Sequence, residues 1–277
     1  MPTVPAPIAS RFERWLGHPA LVTAVDQHSA ALRTVTFAGP ALRGLRDAPG
    51  QEIEFRVGPR ELRHYTAARY DPAAGELDVV FHTAADGPGA RWAAALTTGA
   101  ETSVLGPGGG LRWQPGRDTL LLGDATAIGL FQAFSAASAA SPAASASTPA
   151  STSIAASSAS AAPSPTAASS AAAGSPGSAS GAGGVRASLR GAVEVPAADL
   201  AAARALLPGL EIVEAGDEPG RALDAWLAAA SIPSSTRVYL AGHARSIQRQ
   251  RATLKAAGVS RSDLLAKAHW ADGRAGL

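Results

Sequence analysis

From residue 20 to residue 105, apolar and polar positions alternate in short runs, most of them closed by glycine or proline. Ala20–Asp26 and Leu32–Ala38 read as antiparallel strands joined by Gln27–Ala31, and Gly39-Pro40 breaks the second. Gly50–Val57 reads as a third strand, stopped by Gly58-Pro59, and Leu62–Ala67, Glu76–His82 and Glu101–Leu105 follow. A period of two sends one set of side chains inward and the other outward. Short strands with turn signals at regular spacing predict a small β-barrel. Asp86-Gly87-Pro88-Gly89 has turn chemistry, and proline suits a first helical position, so Ala90–Leu96 reads as a helix. Further upstream, Ser10–Leu16 suits a short helix, with Ser10 as cap and Phe12, Trp15 and Leu16 on one side.

After Arg117-Asp118 the pattern changes. Thr119–Gly123 is an unbroken apolar run, as expected of a strand buried on both faces. A small-residue turn and a helix, Leu130–Ala137, come next. Strands Leu189–Val195, Leu210–Ala215 and Arg237–Ala241 then alternate with helices Ala197–Leu207, Ala222–Ala230 and Ser246–Ala257. That alternation predicts a parallel, doubly wound α/β sheet. The expected fold is a β-barrel domain over residues 1–117 followed by an α/β doubly wound nucleotide-binding domain over 118–277. Within the second domain, residues 136–184 collapse to alanine, serine, proline and glycine, with no charge and no period. Such a segment cannot bury enough surface to offset its ordering entropy, which predicts a disordered insertion on a surface loop.

Composition narrows the chemistry. A chain of 277 residues suits two domains. The absence of cysteine excludes disulfides, thiolate zinc sites, iron–sulfur clusters and thiol catalysis. A formal charge of +2 is too small to argue for nucleic acid. No run of about 18 apolar residues reads as a membrane span. Met1–Ile8 lacks the basic segment and apolar core of a signal peptide, so a cytoplasmic protein is expected. The 6 histidines are scattered without metal-ligand spacing, so no metal site is expected. Nothing in the pattern specifies an oligomeric state.

Candidate chemistry gathers in Arg63-His64-Tyr65-Thr66. Arg63 and Tyr65 sit two apart and share one face of a strand, with His64 and Thr66 on the other. A guanidinium beside a phenol suits a flavin dinucleotide: the fork takes pyrophosphate, the aromatic ring covers the isoalloxazine, and the Thr66 hydroxyl reaches the ring edge. Val80 and Phe81 lead into His82, which stands at a strand end with donors for phosphate or ribose. The backbone N–H groups at Gly87-Pro88-Gly89-Ala90 would form an anion site at the start of a helix, with Trp92 one turn in. Gly106–Gly110 allows close backbone approach to a cofactor, or serves as a plain interdomain turn. In the second domain, the strand ends Gly123–Thr126 and Gly242–Arg245 are the expected cleft, because ligands of doubly wound sheets bind beyond the carboxyl ends of strands. Side-chain nucleophiles and general bases are not required by this chemistry.

The runs "RHYT", "FH", "GPGARWA" and "GPGGG", in that order, resemble the siderophore-interacting proteins, FAD-dependent ferric-siderophore reductases of the ferredoxin-reductase superfamily. The resemblance extends to "LRTVTFAGPALRGL", to "PGQEIEF" and to a terminal aromatic–tryptophan–glycine signature at His269, Trp270 and Gly273. It implies FAD as cofactor, NAD(P)H or a ferredoxin as donor, and a ferric siderophore as acceptor. It further implies that Thr126 and Trp270 touch flavin or nicotinamide, that Gly123, Asp124, Gly242 and His243 line the nicotinamide cleft, and that Arg56, Arg245 and Lys267 meet the substrate. Trp270 as a core residue of a last strand is an equal reading of that side chain alone. Three departures stand out: Ala125 replaces the family's glutamate after Asp124, His243 stands where glutamate is common, and Glu54 stands near a family lysine. A flavin reductase for another acceptor, or a non-catalytic module of the same fold, are the alternatives.

Overall fold

The computed structural model describes residues 17–141 and 187–273, and its strands fall into two sheets. The first holds β1 (Gly17–Gln27), β2 (Leu32–Ala38), β3 (Glu52–Arg56), β4 (Leu62–Thr66), β5 (Arg69–Asp71), β6 (Glu76–His82) and β7 (Glu101–Gly108). They are antiparallel, in the order β4-β3-β7-β1-β2-β6-β5. Hydrogen bonding ends at β4 and β5, yet the sheet curls until its halves face each other. Phe37 of β2 meets Phe55 of β3 at 4.8 Å between ring centroids, and Tyr65 of β4 meets Phe81 of β6 edge-on at 4.7 Å. Alternation along each strand supplies this interior: Val22, Val35, Ile53, Leu77, Val79 and Val104 all point into it. Helix α1 (Pro88–Ala95) crosses from β6 to β7 and lays Trp92 against Phe55 and Phe81.

The second sheet is parallel, in the order β10-β9-β8-β11-β12. It contains β8 (Thr119–Asp124), β9 (Leu189–Val195), β10 (Glu211–Glu214), β11 (Arg237–His243) and β12 (Leu264–Trp270). Its helices are α2 (Ile128–Ala140), α3 (Leu200–Leu206), α4 (Arg221–Ala229) and α5 (Ala244–Ala256). The unbroken apolar run of β8 is explained by its place in the middle, where Leu120, Leu121 and Leu122 are fully buried. The reversal of strand order between β8 and β9 on one side and β11 on the other puts a crevice at their carboxyl ends.

Helix α2 joins the two halves. Ile128, Leu130, Phe131 and Phe134 are all buried, so the helix is apolar nearly all round rather than striped. One cluster runs from Leu32, Val80 and Leu111 beside the first sheet, through α2, to Leu121, Val193 and Tyr239 of the second. Burying each such large side chain contributes roughly 1.5–3 kcal/mol.

Several expected elements shift. The helix expected over Ala197–Leu207 is a 3-10 turn, Ala197–Asp199, followed by α3. Helix α2 runs on to Ala140, because the first alanines of the low-complexity stretch continue it. The three-residue strand β5, held by Arg69↔Asp78 and two further pairs with β6, was not expected. The helix expected at Ser10–Leu16 lies outside the described residues, as does the insertion beyond Ser141. The described helices include none long and apolar enough to cross a membrane.

Candidate functional site

A cavity of about 900 Å³ opens between β4, the start of α1 and the carboxyl ends of the parallel strands. Arg63, His64, Tyr65, Thr66, Val80 and His82 line it from the first sheet, with residues 84–90 beside them. Arg63 and Tyr65 project on the same side, toward α1. A Cβ on Gly89 would lie 2.6 Å from the Tyr65 hydroxyl and 3.2 Å from Arg63 Cγ, so only glycine lets the helix start come this close. Gly87 caps α1 without a side-chain hydrogen bond, and Pro88 opens it, which leaves first-turn N–H groups directed out of the helix. Arg63 donates from Nη1 to the Leu62 carbonyl at 2.7 Å. Burial pushes the Tyr65 phenol up to about 12, so it is a neutral donor at any ordinary pH.

The facing wall comes from β8, β12 and the turn after β8. Asp124 Oδ1 accepts from the Thr126 N–H at 2.9 Å and from its hydroxyl at 2.5 Å, while Oδ2 accepts from Trp270 Nε1 at 2.7 Å. Gly242, at φ +124°, leaves room for this carboxylate; any Cβ there would collide with it. The Thr126 hydroxyl spends its proton on Asp124, so its lone pair faces His269 Nδ1 at 3.0 Å and the imidazole donates there. Desolvation in the wall holds His269 below its ordinary pKa, which favours that neutral ring and leaves Nε2 an acceptor. Trp270 packs against His243 at 4.4 Å between ring centroids, tilted by 39°, which supports the indole from behind.

Glu52 and Glu194 line the cavity, and Glu54 and Asp199 stand close by it. Glu52 of β3 holds Lys267 of β12 at 3.0 Å. Glu54, two residues on, pairs with His64 at 2.6 Å across the β3–β4 register, and the hydrogen bond from His64 keeps it below its ordinary pKa. At the other end Glu194 of β9 accepts from the N–H groups of Gly220, Ala222 and Leu223 at 2.7, 3.0 and 3.3 Å, and so caps α4. His82 Nε2 lies 3.4 Å from Asp199 Oδ2, and Asp199 also accepts from the Ser29 hydroxyl.

The structure thus brings together Arg63, His64, Tyr65, Thr66, Val80, His82, Gly87, Pro88, Gly89, Ala90, Asp124, Thr126, Lys267 and Trp270 around one space. It places others elsewhere. Phe81 is buried in the sheet interior and Trp92 packs beside it, so both support Tyr65 from behind. Gly123, Gly242 and His243 are buried under the wall rather than on it. Arg56 is off the lining, and exposed Arg245 reaches toward Asp272 at 3.8 Å. Arg249 is engaged by Asp224 at 2.7 Å and by the Pro219 carbonyl at 2.6 Å. The glycine run that closes β7, Gly106–Gly110, does not line the cavity either; Gly108 pairs with Glu52 inside the sheet.

The sequence motifs do not point to Glu52, Glu194 or Asp199, and they include His269 only as the aromatic of the terminal signature. Glu194 had a usable signal, a lone carboxylate near the carboxyl end of an apolar parallel strand. His269 had one too, next to Trp270. Asp199 had none, because its partners come from the distant β1–β2 turn and β6.

With this geometry in hand, comparison with known proteins gives three findings. Residues 58–111 match the family model of the siderophore-interacting FAD-binding domain, which bears out the resemblance read from the motifs. No curated protein matches the chain. Among solved structures, it resembles the siderophore-interacting protein SipS from Aeromonas hydrophila at 18% identity, covering 94% of each chain with a TM-score of 0.65. A siderophore utilization protein from T. fusca is 23% identical over 94% of this chain and 95% of its own, with a TM-score of 0.64. The ferredoxin reductase of carbazole 1,9a-dioxygenase is 18% identical over 91% of this chain and 68% of its own, with a TM-score of 0.63. At these identities the likeness is one of fold: an antiparallel flavin-type sheet joined to a parallel α/β sheet, as in ferredoxin reductases.

Proposed function

We propose that this chain is an FAD-dependent reductase that takes electrons from NAD(P)H, or from a ferredoxin, and delivers them to a ferric siderophore. The observation that carries the reading is the shared space of Arg63, Tyr65 and the bare helix start at Gly87–Gly89, faced by Thr126 and Trp270. The cradle fits the dinucleotide. A guanidinium and helix N–H groups converge where a pyrophosphate would lie, and the missing Cβ of Gly89 is what keeps that approach open. Tyr65 offers a neutral phenol and ring beside it, and Thr66 a hydroxyl. Bound FAD would supply the redox chemistry, accepting an electron pair as hydride and releasing electrons singly.

The chain's own residues hold, orient and enclose. Asp124 fixes the Thr126 hydroxyl and the Trp270 indole at once, so the wall opposite Tyr65 is rigid before any donor arrives. The neutral His269 ring keeps Nε2 as an acceptor within that wall. No lining group has to act as nucleophile.

The test is an absorbance spectrum of the purified protein followed by anaerobic titration with NADH, NADPH and a reduced ferredoxin. We expect stoichiometric flavin bleached by at least one donor, and reoxidation by a ferric chelate with oxygen excluded. Arg63→Ala should weaken FAD retention by roughly ten- to a hundredfold, the worth of a charge-assisted fork on phosphate. Full flavin content in that variant after gel filtration would remove the cradle from consideration.

A further inference from the structure

The charge of the cavity wall bears on which ferric chelate is taken, an inference that rests on the reading above. The lining contains five carboxylates, Glu52, Asp86, Asp124, Glu194 and Asp217, against two cations, Arg63 and Lys267. Arg63 stands at the α1 end, where the pyrophosphate is assigned. At the opposite end, formed by Glu52, His64, Lys267 and His269, the ammonium of Lys267 is already met by Glu52 at 3.0 Å. Directly behind His64, 2.6 Å from its Nε2, Glu54 adds a second carboxylate, and the hydrogen bond from His64 keeps it ionised. Among the described residues lining that end, then, no cation stands without a carboxylate partner. A bound flavin dinucleotide would add further negative charge from its phosphates.

We infer that the acceptor is a ferric chelate of zero or positive overall charge, of the tris-hydroxamate type, and that this wall discriminates against polyanionic tris-catecholate chelates. A trianion brought against paired carboxylates gains no attraction to offset the repulsion and lost hydration, whereas a neutral complex meets no such barrier. The electron count closes without another reactant: one NADH and two Fe(III) chelates become NAD+, a proton and two Fe(II) chelates, each iron gaining one electron.

The two chelate classes differ in redox potential as well as charge, so rates alone would confuse the effects. Gallium(III) chelates have the charge and shape of the ferric ones and accept no electron. Binding of a neutral hexadentate Ga(III) tris-hydroxamate and a trianionic hexadentate Ga(III) tris-catecholate to the FAD-loaded protein should be measured by calorimetry. At low salt the hydroxamate complex should bind at least about tenfold more tightly, and the gap should narrow at roughly 0.5 M salt as the wall is screened. Glu52→Gln combined with Glu54→Gln should narrow it at low salt by about threefold or more, by unmasking Lys267 and removing the carboxylate behind His64. Should the variant misfold, the salt dependence of the unmodified protein decides alone. Equal or tighter binding of the catecholate, or a gap indifferent to salt, would overturn the inference while leaving the reductase reading intact. Failure of every gallium chelate to bind, with NADH still bleaching the flavin, would overturn the ferric-chelate reading and this inference together.

Discussion

Asp47 carries a cost that its surroundings make measurable. Its Oδ1 is buried without a hydrogen-bond partner, and burial pushes the carboxyl up from 3.8 to about 6. A carboxyl with a raised native pKa binds its proton more tightly when folded. Its effect is therefore absent below the unfolded value of 3.8, and stability falls as pH climbs toward 6. Above that window the whole penalty is present. Asp47→Asn removes the charge and should raise stability at pH 7 by about 1 kcal/mol, a figure already reduced because the group is partly wetted. Urea unfolding at neutral pH and again below pH 3.8 checks it. A gain of the same size at both values would mean that titration is not the cause. Single residues such as Asp47 were illegible in the sequence, since desolvation depends on what covers a loop. Arg63 and Tyr65 were legible because strand alternation alone puts them on one side. His82 was half legible: its place at a strand end was foreseen, but the approach of Asp199 to 3.4 Å was not.

Helix α4 begins on a carboxylate from another element. Gly220 precedes it in a left-handed conformation and offers no side chain, so Glu194 of β9 serves the first N–H groups in place of a local cap. An anion at this position stabilises a helix through both hydrogen bonds and the macrodipole. Glu194→Gln keeps the shape and removes the charge, and should lower stability by roughly 1–2 kcal/mol at neutral pH. An unchanged urea midpoint would show that water or another group takes over the cap. The same dependence on distant partners separates the elements read from sequence from those missed. Strands β2, β6 and β9 run over the residues their alternation or apolar continuity predicted, because that pattern is local. Strand β5 has only three residues and exists by pairing with β6, so no window of its own sequence announces it. Ala197–Asp199 carries a helical composition yet tightens to a 3-10 turn, where Asp199 is turned toward Ser29 and His82.

Two sheets of such different design suggest two independent folding units, but the packing argues otherwise. The apolar cluster that includes Leu32 and Val80 continues without a break through Ile128 and Phe131 to Leu121 and Tyr239. A Cβ added to Gly129 of α2 would lie 3.5 Å from Val80 Cβ and 3.6 Å from the Thr66 carbonyl oxygen, so the bare glycine leaves the helix close against the first sheet. Across the same seam Asp199, almost fully buried, receives the Ser29 hydroxyl and faces His82. Elsewhere Tyr239 donates to the Arg112 carbonyl at 3.1 Å and accepts the Gln114 N–H at 3.0 Å, tying β11 to the chain that leaves β7. Neither half can open without exposing α2, so separate melting would cost each half its shared core. The flavin-loaded protein should unfold in one calorimetric transition, with calorimetric and van't Hoff enthalpies in agreement. Asp199→Asn should lower the midpoint by weakening the seam, at a cost of about 1–2 kcal/mol, while the single transition persists because the apolar cluster survives. Two resolved endotherms in the unmodified protein would show that the sheets are thermodynamically independent and that the wall carrying Thr126 and Trp270 is free to move against Tyr65.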